Sequence, residues 1–201
     1  MTFIVGSIMF TDIVGSSTLW KNHPKNMKNA VYSHDRMISK IVKKHKGSVV
    51  KTMGDSFMIY LKGEHGYEKG IKIAFAIQYL LNNKPIIVDK KSDSKIIVRI
   101  GMAQGPMNIQ HVRFQGKRLR DYFGTTVNLA SRMESKVSKP NTISFCFWET
   151  EIPREYINEL SKQFDIIVKD YRDYCIPSNN IKCENSELLH GVPGVLTFTI
   201  V

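Results

Sequence analysis

The order of apolar patterns in the first 105 residues most constrains how this chain can fold. The stretch FIVGSIMFTDI is typical of a buried strand, and residues 24 to 46 place apolar side chains at steps of three and four, which predicts an amphipathic helix. The sequence VVKTMGDSFMIYL then predicts a hairpin, and a second helix is predicted from about Tyr67 to Leu81. The strand IIVRIGMAQG completes the order β-α-β-β-α-β, which is the split unit of ferredoxin-like folds.

The rest of the chain adds elements to the C-terminal side of this core. A polar, basic stretch from 108 to 124 comes first. Four elements are predicted after it, namely the helix TTVNLASRMESKV, the strand TISFCFW, a helical region in ELSKQF and a closing hairpin or strand end in LHGVPGVLTFTIV. Because no repeat, low-complexity tract or linker interrupts the sequence, residues 1–201 are predicted to form one α+β domain. Its antiparallel or mixed sheet would be covered by helices.

Composition narrows the possible partners only weakly. The chain has 29 Lys and Arg against 18 Asp and Glu, a formal net charge of +11, which suits an anionic partner such as nucleic acid, lipid headgroups or a polyphosphate. The lysines are spread along the sequence, however, as on ordinary solvated faces. Three cysteines without CxxC spacing argue against structural zinc and favour a reducing compartment. No apolar run approaches the ~18 residues of a membrane span, so a soluble, cytoplasmic chain is expected.

Two aspartates are the first candidates for chemistry. Asp12 follows a buried strand, and Asp55 lies at the tip of the predicted hairpin. Alone, Asp12 is better explained as a helix cap. In a ferredoxin-like sheet the first and third strands are neighbours, so both carboxylates would converge at one end. Two such carboxylates repel each other unless a cation lies between them, and Mg²⁺ with phosphates completing its shell is the usual solution.

A helix face supplies the second candidate group. Asn128 and Arg132 are spaced i, i+4 and therefore share one face of a predicted helix. An amide beside a guanidinium can hold a sugar oxygen and a phosphate. By itself, the pair is better explained by a surface helix on which Arg132 forms a salt bridge.

Four motifs together resemble those of the class III nucleotidyl cyclase catalytic domain, the family of adenylyl and guanylyl cyclases. They are FTDIVGSS, KTMGDSF, VRIGMAQG and DYFGTTVNLASRME, in the order and spacing of the family. The resemblance covers residues 6 to 146 well and LLHGVPGVLTFTI more loosely. It implies a homodimeric adenylyl cyclase that makes cyclic AMP and pyrophosphate from ATP.

The resemblance also implies roles for particular residues. Asp12 and Asp55 would bind two Mg²⁺ or Mn²⁺ ions, with the Ile13 carbonyl as a possible further ligand. Lys51 and Asp121 would bind the edge of the base. The ribose would be oriented by Asn128, and charge on the phosphates would be stabilised by Arg132. Where the family has a phosphate-binding lysine this chain has His190, which either takes over that role or, if the alignment slips, is an ordinary loop residue.

In this family the active sites lie at the interface of a head-to-tail dimer. The resemblance therefore implies that Lys51 and Asp55, although four residues apart, serve different sites. A lysine donor and an aspartate acceptor suit the edge of adenine and not that of guanine, whereas cytosine presents a similar edge. The alternatives are thus a cyclase of other base specificity, CTP first, or a degenerate domain that binds nucleotide or a partner without catalysis. The basic segment 111 to 120 is expected to be a dimer arm and not a nucleic-acid interface.

Two buried residues are expected to have only structural roles. His34 lies on the apolar face of the first long helix, and we predict a core histidine with satisfied hydrogen bonds. Cys146, within the apolar run ISFCFW, is predicted to be a core residue.

Overall fold

The computed structural model describes residues 2–114, 117–170, 181–185 and 197–200, and these form an α+β fold with one large, mostly antiparallel sheet. The helices are α1 Ser16–Asn22, α2 Pro24–Lys44, α3 Gly66–Asn83, α4 Thr125–Arg132 and α5 Arg154–Ser161, with a π-helical turn Met133–Val137 after α4. The strands are β1 Thr2–Ile13, β2 Ser48–Met53, β3 Ser56–Lys62, β4 Ile87–Asp89, β5 Ser94–Lys95, β6 Val98–Phe114, β7 Lys117–Phe123, β8 Ile143–Phe147, β9 Ile166–Asp170, β10 Ile181–Asn185 and β11 Thr197–Ile200.

The predicted ferredoxin-like core is confirmed. Its four strands lie in the order β6-β1-β3-β2, and the elements β1, α2, β2, β3, α3 and β6 follow one another as predicted. Strand β8 pairs in parallel with the other side of β6, and β11, β9 and β10 extend the sheet from there. Strand β1 lies at the centre and is antiparallel to both β3 and β6. The end of β1 is therefore flanked by a strand on each side.

Each face of the sheet has its own core, because successive side chains of a strand point to opposite faces. On β1, Met9 and Ile13 pack in the larger core with residues of α2 and α3. The alternate residues Ile8 and Phe10 pack in a second core against α4 and the residue that follows it, Met133. The sheet is thus covered by helices on both faces, and Cys146 is buried in the second core, as predicted.

A glycine allows the end of α4 to approach the sheet closely. A Cβ atom at Gly101 of β6 would lie 1.9 Å from the backbone nitrogen of Glu134, closer than real Cβ contacts allow. Only glycine therefore permits the π-helical turn to pack directly on the strand. The contact brings Glu134 next to the start of β6.

The structure differs from the sequence prediction in several elements. Helix α1 was not predicted, because it is only seven residues long and buries none of them fully, so its apolar pattern is too short to recognise. No element was predicted in the polar stretch from 108 to 124, where residues 108–114 of β6 pair with residues 117–123 of β7. The small β4–β5 hairpin also carries too few apolar residues to be recognised. That residues 1–201 form one domain stays a prediction.

Among the residues that the structure describes, none of the helices combines the length and the apolarity needed to cross a membrane.

Candidate active site

Asp12 lies at the end of the central strand, where both neighbouring strands supply it with hydrogen-bond donors. The hydroxyl of Ser56 on β3 donates to Asp12 Oδ1 at 2.8 Å. The guanidinium of Arg99, which is the residue paired with Asp12 on β6, donates from Nη2 to Asp12 Oδ2 at 2.9 Å. Strand pairing therefore fixes the carboxylate between a neutral donor and a cationic one.

Asp55 lies in the turn between β2 and β3, after Gly54, whose φ of +66° is in the left-handed region that favours glycine. Its Oδ2 atom is buried and has no hydrogen-bond partner among the described residues. A buried carboxylate oxygen without a donor is costly, and such exceptions need a functional or structural explanation. The atom is therefore suited to accept a ligand that the free chain does not provide.

The two carboxylates converge on common neighbours. Burial raises the pKa of Glu134, the guanidinium of Arg99 lowers it, and the negative charges of Asp12 and Asp55 both raise it further. The same two aspartates also act on buried His34. Ser56, which donates to Asp12, directly follows Asp55, so both aspartates lie at one end of the sheet, as the strand order predicts.

This arrangement fits divalent cations that take oxygen ligands. The carboxylates of Asp12 and Asp55 supply the charge, and the unpartnered Asp55 Oδ2 supplies a free lone pair. The side chain of Ile13 is buried in the core, so only its backbone carbonyl is chemically suited to be a ligand. The described residues contain no cluster of three or more His, Cys, Asp or Glu side chains that could hold a metal. Ions here would therefore need water molecules or the oxygens of a bound anion to complete their coordination.

Lys51 does not neutralise Asp55, although both lie on the β2–β3 hairpin. The Lys51 ammonium lies 2.7 Å from Asp121 Oδ2 on β7, and the side chains are 42% and 22% exposed. The other oxygen, Asp121 Oδ1, accepts a hydrogen bond from the backbone N–H of Tyr122 at 2.9 Å. The structure thus brings together the two residues predicted to bind the base and presents them near the surface.

Asn128 and Arg132 lie on α4, which begins after Gly124, a residue with φ of +126°. The predicted spacing of i, i+4 on one helix is present, with Asn128 exposed and Arg132 half-buried. Both side chains are placed by the packing of Leu129 and Ala130, which belong to the second core. His190, the remaining predicted site residue, lies outside the described residues.

His34 differs from its prediction in one respect. It is fully buried in the core, as expected, and its Nδ1 lies 3.1 Å from Asp35 Oδ1. Its Nε2 has no hydrogen-bond partner among the described residues, so the histidine is only half satisfied. Burial lowers the pKa of this imidazole. No sequence pattern indicates the orphaned nitrogen, because a helical pattern predicts burial but not hydrogen bonding.

Arg99 and Glu134 were not predicted as site residues. Arg99 Nε donates to Glu134 Oε1 at 2.5 Å while its Nη2 contacts Asp12, so one guanidinium joins both carboxylates. Both residues lie inside motifs singled out from the sequence, VRIGMAQG and DYFGTTVNLASRME. The position of Arg99 beside Asp12 could have been predicted from the strand register. Its contact with Glu134 could not, because the two residues lie 35 positions apart in the sequence and on different elements.

The adenylate and guanylate cyclase catalytic domain model matches residues 5–147 of the chain. A receptor-type guanylate cyclase of Caenorhabditis elegans, gcy-23, is 29% identical over 175 residues, which are 84% of this chain and 16% of that protein. Receptor-type adenylate cyclase B of Leishmania donovani is 29% identical over 161 residues, 64% of this chain and 12% of that protein. The chain thus spans less than a fifth of the length of these relatives.

Solved structures show the same fold. A Trypanosoma brucei adenylate cyclase structure, determined in the monomeric state, superposes with a TM-score of 0.71. It is 22% identical, and the match covers 98% of this chain and 89% of that one. This likeness agrees with the α+β architecture and the sheet order described above.

The orphaned Asp55 carboxylate generates a stability prediction. Replacing Asp55 with Asn should raise the free energy of unfolding in EDTA by about 1 kcal/mol, because a buried charged oxygen without a donor is removed. Adding Mn²⁺ should stabilise the unmodified chain more than the variant, because only the former keeps the full ligand set. Chemical denaturation with and without Mn²⁺ measures both effects.

The matched control is Asp165→Asn, which removes the same charge from an exposed position just before β9. An increase in stability for both variants alike would mean that net charge, and not the orphaned oxygen, is responsible.

Proposed function

The chain belongs to the family of adenylate and guanylate cyclase catalytic domains, and from this premise we propose that it converts ATP to 3′,5′-cyclic AMP and pyrophosphate. The ribose 3′-oxygen would attack the α-phosphorus, lose its proton, and displace pyrophosphate by breaking the bond between the α-phosphorus and the bridging oxygen. The proposal extends to the whole site, which would be shared between two copies of the chain.

One observation carries this proposal. The Lys51 ammonium pairs with Asp121 at 2.7 Å, while the nearby Asp55 keeps an unpartnered carboxylate oxygen. If the hairpin were an ordinary surface element, Lys51 and Asp55 would be expected to neutralise each other. Because Lys51 pairs with Asp121 and not with Asp55, the chain has two distinct functional groups here. One of them would bind cations and the other would bind a base.

The residues around Asp12 would bind and orient the reacting groups. Divalent ions at this site supply charge that favours ionisation of the 3′-hydroxyl and neutralises the triphosphate. Asp12, Asp55 and the Ile13 carbonyl would hold them at the end of the sheet. Asn128 would orient the ribose, and Arg132 would stabilise negative charge on the phosphates in the transition state. His190 would donate to the outer phosphates in place of the lysine usual in the family.

The choice of ATP rests on hydrogen-bond chemistry. An ammonium can only donate and an ionised carboxylate can only accept, so Lys51 and Asp121 match the ring nitrogen and the amino group of adenine. Guanine presents the opposite pattern and would leave both side chains without a partner on the base. Curated relatives of both substrate types match this chain, so the pair itself is the argument for ATP. Cytosine also offers a ring acceptor beside an amino donor, which makes CTP the main competitor.

The surface of the chain supports a homodimer. Strand β2 is an edge strand whose side chains are exposed or half-buried, with Val49 and Met53 39% and 46% exposed. On β7, Leu119 and Phe123 are 49% and 44% exposed. Edge strands and exposed apolar side chains are usually covered in the functional assembly. A head-to-tail partner would cover them and would place its own Asp12 and Asp55 opposite Lys51 and Asp121.

The first test of the function is a substrate panel. The purified chain should form cyclic AMP from ATP with Mn²⁺, and GTP should be turned over about 10⁴-fold less efficiently, because the donor and acceptor pattern is reversed. Mass spectrometry of products from ATP, CTP, GTP and UTP measures this. Cyclic CMP as the main product would overturn the base assignment, and the absence of any cyclic product would favour a non-catalytic nucleotide-binding domain.

The shared site predicts complementation between inactive variants. Asp55→Ala and Arg132→Ala should each be inactive alone, whereas an equimolar, remixed sample should regain about a quarter of the original rate. In the proposed dimer, Arg132, like Lys51 and Asp121, acts in the site whose cations are held by the other copy of the chain. Half of the dimers are then heterodimers, and each heterodimer has one intact site of two.

The matched control mixes Asp12→Ala with Asp55→Ala. Both changes damage the same half-site, so no heterodimer regains an intact site and the mixture should stay inactive. Activity in this control mixture would contradict a site shared in this way. So would the absence of activity in the first mixture when exchange of subunits has been demonstrated.

A further inference from the structure

A guanidinium occupies part of the carboxylate proposed to bind cations. Arg99 Nη2 donates to Asp12 Oδ2 at 2.9 Å, and Ser56 donates to Asp12 Oδ1 at 2.8 Å. Both oxygens of Asp12 are therefore engaged within the chain. The Ser56 hydroxyl is neutral and can rotate away or donate elsewhere, whereas an arginine remains charged at any physiological pH. A divalent ion that approaches Oδ2 must displace a fixed positive charge.

Glu134 is the second carboxylate in contact with the same guanidinium. Its Oε1 accepts a hydrogen bond from Arg99 Nε at 2.5 Å, and its side chain is only 11% exposed against 32% for Arg99. The backbone of Glu134 cannot move away easily, because it packs against Gly101 of β6. Arg99 is thus shared between Glu134, which is buried and held in place by packing, and Asp12, which is more exposed.

We propose that Arg99 is a built-in counter-cation that competes with divalent ions for Asp12. Glu134 is the positioning residue that sets how readily Arg99 releases Asp12. The inference rests on the proposed function, since it assumes that Asp12 binds cations. It adds that, without bound cations, the negative charge of Asp12 is partly offset by this chain's own Arg99.

The two contacts use different nitrogens of Arg99, which makes the exchange possible. When a cation takes Asp12 Oδ2, the Nη2 atom loses its partner, but Nε keeps its hydrogen bond to Glu134. Arg99 therefore stays anchored and charge-paired after it leaves Asp12. Without the negative charge of Glu134, Asp12 would be the only carboxylate of the two left to pair with the guanidinium. Arg99 would then hold Asp12 more strongly and oppose the cation more.

The test measures binding of Mn²⁺ alone to the full chain, without nucleotide, from the electron paramagnetic resonance signal of free Mn²⁺. Arg99→Met should tighten the Asp12-dependent binding by about tenfold, because a charge at hydrogen-bond distance shifts the ionic equilibria of a carboxylate by about one logarithmic unit. Glu134→Gln should weaken it by roughly three- to tenfold, for the reason given above. In the Arg99→Met background, Glu134→Gln should change the affinity by less than about twofold, because Glu134 acts through Arg99.

Two control variants remove the same charges elsewhere. Arg36→Met alters an exposed residue of α2, and Glu159→Gln alters an exposed residue of α5, 64% exposed. Both should leave the Mn²⁺ affinity within about twofold, because exposed charges at a distance are screened by salt. A purely structural role for Arg99 would instead make its loss weaken Mn²⁺ binding, since the site would become less ordered.

The outcomes separate this inference from the proposed function. If Asp12→Asn leaves Mn²⁺ binding unchanged, the proposed cation site itself fails. If binding depends on Asp12 but Arg99→Met weakens it or leaves it unchanged, only the competition is overturned. If circular dichroism shows that Arg99→Met does not fold, the Mn²⁺ affinity of Glu134→Gln is the test. That isosteric variant must weaken binding, and unchanged or tighter binding would contradict the inference.

Discussion

The antiparallel pairing of β1 with both β3 and β6 is the constraint on which the rest of the site depends. This pairing places Ser56 on one side of Asp12 and Arg99 on the other. It also brings the hairpin that carries Asp55 to the same end of the sheet, because β3 follows that turn directly. A strand at the edge of the sheet would have only one neighbour. The central position of β1 is therefore what makes a two-carboxylate site possible in a fold of this size.

Several buried polar atoms without partners among the described residues lie around this end of the sheet, whereas others, such as Asn108 Oδ1, lie at the opposite end. Thr11 Oγ1, His34 Nε2 and Asp55 Oδ2 are all buried without partners among the described residues. Thr11 pairs directly with Phe57, and the His34 ring packs against Phe57 with ring centroids 5.9 Å apart. Buried polar groups without partners cost free energy, and stability is commonly given up in this way where a ligand must bind. The competing guanidinium of Arg99 offsets part of that cost at Asp12.

The sequence predicted the parts of the structure that depend on strong local patterns. The apolar periodicity of α2 and the hairpin around Gly54 predicted the order of helices and strands in the core. From that order, Asp12 and Asp55 were expected to lie together. Contacts between distant polar residues could not be predicted in this way. The Arg99–Glu134 pair depends on the close packing at Gly101, which no periodicity reveals. Helix α1 buries no residue, and the sequence of β7, KRLRDYF, shows no clear alternation of apolar and polar residues, so neither had a strong hydrophobic signal to detect.

The central claim is that the carboxylates of one chain and the base-binding pair of another form one site. The most direct measurement is a crystal structure of the chain with Mn²⁺ and an ATP analogue that cannot cyclise. The account predicts anomalous scattering from Mn²⁺ at Asp12 and Asp55, with the adenine of the same nucleotide bound by Lys51 and Asp121 of the partner subunit. A nucleotide whose base and phosphates are both bound by a single chain, or ions bound away from both aspartates, would contradict it.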